Sequence, residues 1–303
     1  MPSVARLLEV TLPVAGLLGL RAWGRDRLER VIAARLGPPG QDGVIAGAEA
    51  LSLVGGDRRV LLLHGFGDTP ESMGGLARYL HERGWTVRVP LLPGHGRTVA
   101  AFGASTANEW LDSAGAAYAE LAGDGRPVAL VGQSMGAALA VELAADHPST
   151  PALVLLAPLL SLTAVMERAA RWWRLLALVR PVLDSADDRS IIDPRAREAS
   201  RAYGALPSRL LPQLVALVRS ARTRLPCVIA PTRVVQSRRD NRVTATGTEE
   251  VIRALGAREI DLIWRDEGGH VLSVDAGHAA VWALTADWLE RHLLAPSVGV
   301  SPP

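Results

Sequence analysis

The chain has 303 residues, 49% of them hydrophobic, so it can bury a sizeable core and fits one large α/β domain or one domain with an inserted piece. Its single cysteine, Cys227, excludes an internal disulfide and a cysteine-rich zinc site. The formal net charge is only +2 and every cation is an arginine interspersed with acids, which excludes a nucleic-acid-binding stripe.

Residues 4–20 are rich in Leu and Val and run into Arg21, Arg25, Arg27 and Arg30. The uninterrupted apolar part, Val10 to Leu20, is too short for a membrane span and contains Pro13. A secretory signal carries its cations before the apolar run, whereas here they follow it. Three readings stay open for this leader: a helix packed on the domain, a peripheral membrane anchor, and a processed signal. The expected location is cytoplasmic, with any membrane contact made through this segment. The stretch 37–43, Gly-Pro-Pro-Gly-Gln-Asp-Gly, then breaks the chain before the globular body.

Beyond it, strand-like and helical runs alternate, which predicts a mostly parallel central sheet flanked by helices. Arg59 to Leu63 reads as a buried strand, Pro70 to Arg83 as a helix, and Trp85 to Leu91 as the next strand. Thr106 and Glu109 have capping-box spacing and start a helix reaching about Ala122. Ala152 to Leu156 reads as another strand. There the alternation stops. Residues 159–225 hold apolar and amphipathic helical stretches and no clear strand, which predicts an inserted helical cap. Strand signals return at Thr232 to Gln236 and Glu259 to Trp264, and a helix from Asp275 to about Leu293 closes the domain. Cys227 reads as a small apolar residue opening a buried strand. The expected organisation is a leader (1–40), a core in two pieces (41–158 and 226–295), a cap (159–225) and a flexible tail (296–303).

The chemistry centres on Gly132-Gln133-Ser134-Met135-Gly136. Before it runs Val-Ala-Leu-Val, apolar and strand-forming; after it runs Ala-Ala-Leu-Ala-Val-Glu-Leu-Ala-Ala, a strong helix former. Strand, tight turn and helix with a serine at the apex form a nucleophile elbow. The turn strains the serine backbone, and a side chain at 132 or 136 would collide with the neighbouring strand or helix.

A serine hydroxyl is a weak nucleophile until a base takes its proton, and the base needs an acid to hold its tautomer. In the elbow architecture these partners follow in the order acid, then histidine, on loops after later strands. Asp240 follows the strand at 232–236, and His270 follows the strand at 259–264 behind the hinge Gly268-Gly269. Their competitors fit less well. Asp266 and Glu267 sit on the histidine's own loop, and His278 lies within the last helix. His81 and His147 read as solvent-facing residues at helix ends, and His64 and His95 as structural residues in loops at the carboxyl edge of the sheet. The N–H groups of Met135 and Phe66 are the expected oxyanion donors.

The density of Leu, Val and Trp between Leu159 and Leu217 suggests an acyl pocket lined by Trp172, Trp173, Leu175 and Leu176. The other reading is that these four side chains hold the cap onto the domain. No metal or organic cofactor is implied, and no phosphate-cradling loop is present.

The runs LLLHGFGDTPESM, VPLLPGHG, Glu109-Trp110, GQSMGAALA, PTRVVQSRRDNRV and GGHVLSVD together resemble the α/β-hydrolase superfamily from about residue 59 to residue 290. Within it the likeness is to bacterial carboxylesterases and monoacylglycerol lipases. The resemblance implies an α/β-hydrolase fold with a cap, and a small-molecule or lipid ester as substrate. It also implies a Ser134-Asp240-His270 triad working through an acyl-enzyme. An acyltransferase or thioesterase with the same triad is the alternative, and a non-catalytic ligand-binding protein on the same fold a remote one. The cap, with its double Trp172-Trp173, and the leader depart from the resemblance.

Overall fold

A computed structural model describes residues 30–123, 125–185 and 187–294. The apolar stretch 4–20, the arginines up to Arg27 and the tail 296–303 lie outside the described residues. Among the described residues, no helix is long and apolar enough to cross a membrane.

A helix over residues 30–36 (α1) is followed by β1 (Leu51–Leu53), β2 (Arg58–Leu63), α2 (Glu71–Glu82) and β3 (Trp85–Val89). Then come α3 (Val99–Ala104), α4 (Ala107–Ala122), β4 (Val128–Gln133), α5 (Met135–Asp146) and β5 (Leu153–Leu156). An excursion follows, made of α6 (Ala164–Arg171), α7 (Trp173–Val179), β6 (Val182–Asp184), α8 (Pro194–Ala199), β7 (Ala205–Pro207) and α9 (Leu211–Arg224). The core resumes with β8 (Thr232–Ser237), α10 (Ala245–Ala254), β9 (Ile260–Arg265) and α11 (His278–Leu294). Seven strands form one sheet in the order β1-β3-β2-β4-β5-β8-β9. Every neighbouring pair is parallel except β1 with β3.

Side chains of a strand alternate between faces, and here both faces are apolar because both are covered. Leu61, Leu63, Leu130, Leu153, Leu155 and Val234 pack into one core with residues of α4 and α5. Val60, Leu62, Ala129, Val131, Val154, Leu156 and Val235 pack into the other with α2 and α11. The short edge strand β1 and the helices α3 and α10 are not among the elements expected from the sequence. The capping box of α4 forms in both directions between Thr106 and Glu109.

The excursion corrects the expectation of a strandless cap, because β6 and β7 pair as an antiparallel ribbon. Each ribbon strand has three residues, too few for a period-two pattern, and its partner lies far along the chain. The last helix of the excursion, α9, turns back to the body. Its Leu214, Leu217, Val218 and Ala221 join the core shared with α5. Residues 30–36 are likewise part of the body, since Ile32 and Leu36 are buried in that same core. Cys227 is exposed and ends a 3-10 turn, Leu225–Cys227, instead of opening a strand.

Register explains where a site can form. Leu63 at the end of β2 faces Gly132, Gln133 faces Leu156, Leu156 faces Val235, and Ser237 faces Arg265. The loops after β2, β4, β8 and β9 therefore leave one edge of the sheet side by side, where open α/β sheets bind ligands. Arg233 braces β8 from below, bonding Asp261 on β9 and Asp287 and the Leu284 carbonyl on α11.

Candidate active site

Ser134 stands between β4 and α5 with φ 55° and ψ −117°, a strained conformation for a residue with a side chain. Close packing surrounds it. A Cβ on Gly132 would overlap the Gly136 carbonyl, and one on Gly136 would overlap the Leu63 carbonyl. The bond from Ser134 N–H to the Leu156 carbonyl, 2.9 Å, secures the turn to β5.

The structure brings Ser134, His270 and Asp240 into one hydrogen-bonded chain. His270 Nδ1 lies 2.8 Å from Asp240 Oδ2, and His270 Nε2 lies 2.8 Å from Ser134 Oγ. An ionised carboxylate only accepts, so Nδ1 carries the proton and Nε2 accepts from the serine hydroxyl. Burial pushes the Asp240 carboxyl up. The hydrogen bond and charge of His270, with the N–H groups of Val243 and Arg242, outweigh that push and hold it below the usual carboxylate range. Those two amides reach Asp240 Oδ1 at 2.9 and 2.7 Å. Asp266 and Glu267 pair instead with Arg238 and Arg265. His278 opens α11 and contacts the Asp275 carbonyl.

Three residues around this chain are given no role by the sequence alone. Gln236 donates to Asp240 Oδ2 at 2.8 Å, so it steadies the same oxygen that faces His270. Gln133, next to the serine, accepts the Ser273 N–H at 3.0 Å and ties the elbow to the histidine's loop. Asp275 is wholly buried below that loop. A polar residue ending an otherwise apolar strand, as Gln133 does in β4, is the signal that could have found that one.

Met135 follows the serine directly, and Phe66 follows Gly65, which packs against Ser134. Met135 is the first residue of α5, so its amide is one of those a helix start leaves without an intrahelical partner. Phe66 occupies a turn closed by the bond from Asp68 N–H to the Gly65 carbonyl, with Gly67 at φ 67°. That turn leaves the Phe66 N–H outside its own bond, while Gly65 packs against Ser134 Cβ. The Phe66 ring packs among His95, Phe102 and Trp110.

The two loop histidines are internal. His64 donates from Nδ1 to the Gly65 carbonyl and accepts the Leu92 N–H on Nε2. Burial pulls it down to about 4 and pulls His95 well below the ordinary histidine value. Both are neutral supports for the Phe66 turn. His147 differs from the solvent-facing expectation, because its ring stacks on Tyr118 at 4.0 Å between centroids.

Ser134 and His270 are only 8% and 7% exposed, so both are largely shielded from solvent. The four residues expected to line an acyl pocket lie at or near the surface of the described residues. Trp172 and Leu175 are 56% and 57% exposed and face solvent, while Trp173 and Leu176 are half-buried. Among the described residues, none buries a side chain of the short helix α7 completely. Among the described residues, no group of three or more His, Cys, Asp and Glu side chains could hold a metal ion.

Comparison with known proteins agrees with this architecture. The family model described as serine aminopeptidase, S33, matches residues 56–276. A thermostable monoacylglycerol lipase of Bacillus sp. (strain H-257) is 25% identical over 252 residues, covering 82% of this chain and 97% of its own length. A carboxylesterase of Bacillus subtilis (strain 168) is 25% identical over 238 residues, covering 78% and 94%. Among solved structures, one from the metagenome-derived lipolytic enzymes LipS and LipT superposes with a TM-score of 0.73 at 28% identity. It covers 82% of this chain and 100% of that one.

Proposed function

Because this chain belongs to the serine aminopeptidase S33 family, matched across residues 56–276, we propose that it is a serine hydrolase that cleaves carboxylic esters through an acyl-enzyme. The observation that carries the reading is the unbroken chain from Ser134 Oγ through His270 to Asp240, with both links at 2.8 Å. Support also comes from relatives whose names are monoacylglycerol lipase and carboxylesterase.

In the first half-reaction His270 Nε2 takes the Ser134 proton as Oγ attacks the ester carbonyl. Asp240 stabilises the imidazolium without taking its proton. The N–H groups of Phe66 and Met135 receive the oxyanion, each contributing about a hundred- to a thousandfold in rate. The imidazolium protonates the leaving alkoxide and the ester C–O bond breaks. Water then attacks the acyl-enzyme with His270 again as base, releasing acid and free serine.

A fluorophosphonate probe and a series of nitrophenyl esters of increasing chain length test this. The expected result is covalent labelling of Ser134, ester turnover, and loss of both in a folded Ser134→Ala variant. Retained turnover in that variant would discard the assignment, and no labelling of the wild type would favour a non-catalytic protein. Added alcohol that captures most of the acyl group in preference to water would favour an acyltransferase instead.

A further inference from the structure

The strap formed by residues 187–193 of the excursion touches both loops that bring the acid and the base to Ser134. The Ser190 carbonyl accepts the N–H groups of His270 and Val271 at 2.9 and 3.0 Å. Ser190 Oγ donates to Asn241 at 3.2 Å and accepts from Arg242 Nε at 3.2 Å, and Arg242 also donates to the Ser185 carbonyl. Below the strap lies the side chain of Asp275, wholly buried. Its Oδ2 accepts the N–H groups of Gly269 at 2.6 Å and Ile192 at 2.8 Å. Its Oδ1 accepts those of Asp193 at 2.8 Å and Ala276 at 2.7 Å.

A buried carboxylate is costly unless its lone pairs are met, and four aligned amides meet them here. One rigid planar group thus sets the spacing between the strap and Gly269, the residue before His270. The spacing is tight. A Cβ on Gly269 would overlap the Arg189 carbonyl, and Gly268 takes φ 76° to let the loop descend. Asp275 takes no part in the proton chain, which runs to Asp240.

We propose that Asp275 is a positioning residue whose carboxylate latches the strap to the His270 loop and thereby sets the reach of the imidazole to Ser134. The proposal rests on the serine-hydrolase reading above. It also gives the strap a role distinct from the outer helices of the excursion: the strap braces the site instead of merely covering it.

The test compares the full chain with Asp275→Asn, which keeps the shape but turns acceptor into donor at one position. Asp275→Glu keeps the charge and displaces it by one methylene. The readouts are the fluorophosphonate labelling rate per reactive site and kcat per labelled site, with KM and Tm measured alongside. Thr163→Ala, which removes the N-cap of α6, serves as a control for plain loss of cap stability. A misplacement near 1 Å costs about a hundredfold in rate, so kcat and labelling rate per site should fall about 10- to 100-fold in either Asp275 variant. KM should change less than about threefold, because Asp275 does not touch substrate. Thr163→Ala should lower Tm and leave both per-site rates unchanged. Either folded Asp275 variant with wild-type rates per site would overturn the latch, whatever its Tm. An unlabelled wild type would overturn the serine-hydrolase reading and the latch with it.

Discussion

A serine held at φ 55° persists only because its neighbours leave it no other conformation. The most confined of them is Gly136, whose missing side chain leaves room for the Leu63 carbonyl. Gly136→Ala is expected to cost about 1–3 kcal/mol by forcing backbone shifts in a packed core, read from the urea midpoint. A second residue-scale prediction concerns Asp68, at the end of the Phe66 turn. Burial lifts its carboxyl to about 6, against which the Ser72 hydroxyl and the Thr69 N–H pull only partly. The folded state therefore binds this proton more tightly than the unfolded chain does. Its contribution to stability is fully present below about pH 4 and is lost as pH rises through 6. Asp68→Asn should accordingly be more stable than wild type by about 2–3 kcal/mol at pH 8 and equal to it at pH 4. His64 has the opposite sign, its contribution being present above pH 6.5 and lost as pH falls toward 4. The wild-type curve mixes the two, and the difference between variant and wild type isolates Asp68. Equal Tm values at pH 8 would contradict the burial argument.

Among the elements, those that carry their own local signals are legible in the residue order itself. Helix α4 announces itself through Thr106 and Glu109, and β4 through an apolar run ending in a glycine turn. Thr106→Ala is expected to cost about 1 kcal/mol, measured by thermal unfolding, because it removes the side-chain acceptor at the helix start. The ribbon β6–β7 is not legible in this way, since neither three-residue strand is stable or recognisable without the other. Helix α7 misleads for a related reason. Its Trp and Leu content resembles a pocket wall, yet Trp172 and Leu175 are more than half exposed and the Trp172 ring lies beside the Arg171 guanidinium. The double change Trp172→Ser, Leu175→Ser should shift stability by no more than about 0.5 kcal/mol and leave short-ester turnover unchanged. A large loss of acetate-ester turnover would return those side chains to the site.

At the scale of the molecule, the boundary expected at residue 40 separates little. Ile32 and Leu36 are buried in the core, and Arg35 bonds the Ser200 and Ala202 carbonyls beside the ribbon. A chain beginning at residue 41 is expected to lose about 3 kcal/mol or more, from two buried aliphatic side chains at about 1.5–3 kcal/mol each. A denaturation midpoint equal to that of the full chain would contradict this packing. The alternation of strands and helices, the elbow at Ser134, and the order in which Asp240 and His270 follow are all dictated by residue order. They are written in local chemistry: glycines where backbone passes close, apolar runs of strand length, and titratable residues on the loops after strands. Which polar groups meet is settled by the folded chain alone. Gln236 on Asp240, Gln133 on Ser273, and Asp275 on the strap join residues up to 140 positions apart. Residue order carries no trace of the longer pairings, because each partner is an ordinary residue until the sheet brings its loops to one edge.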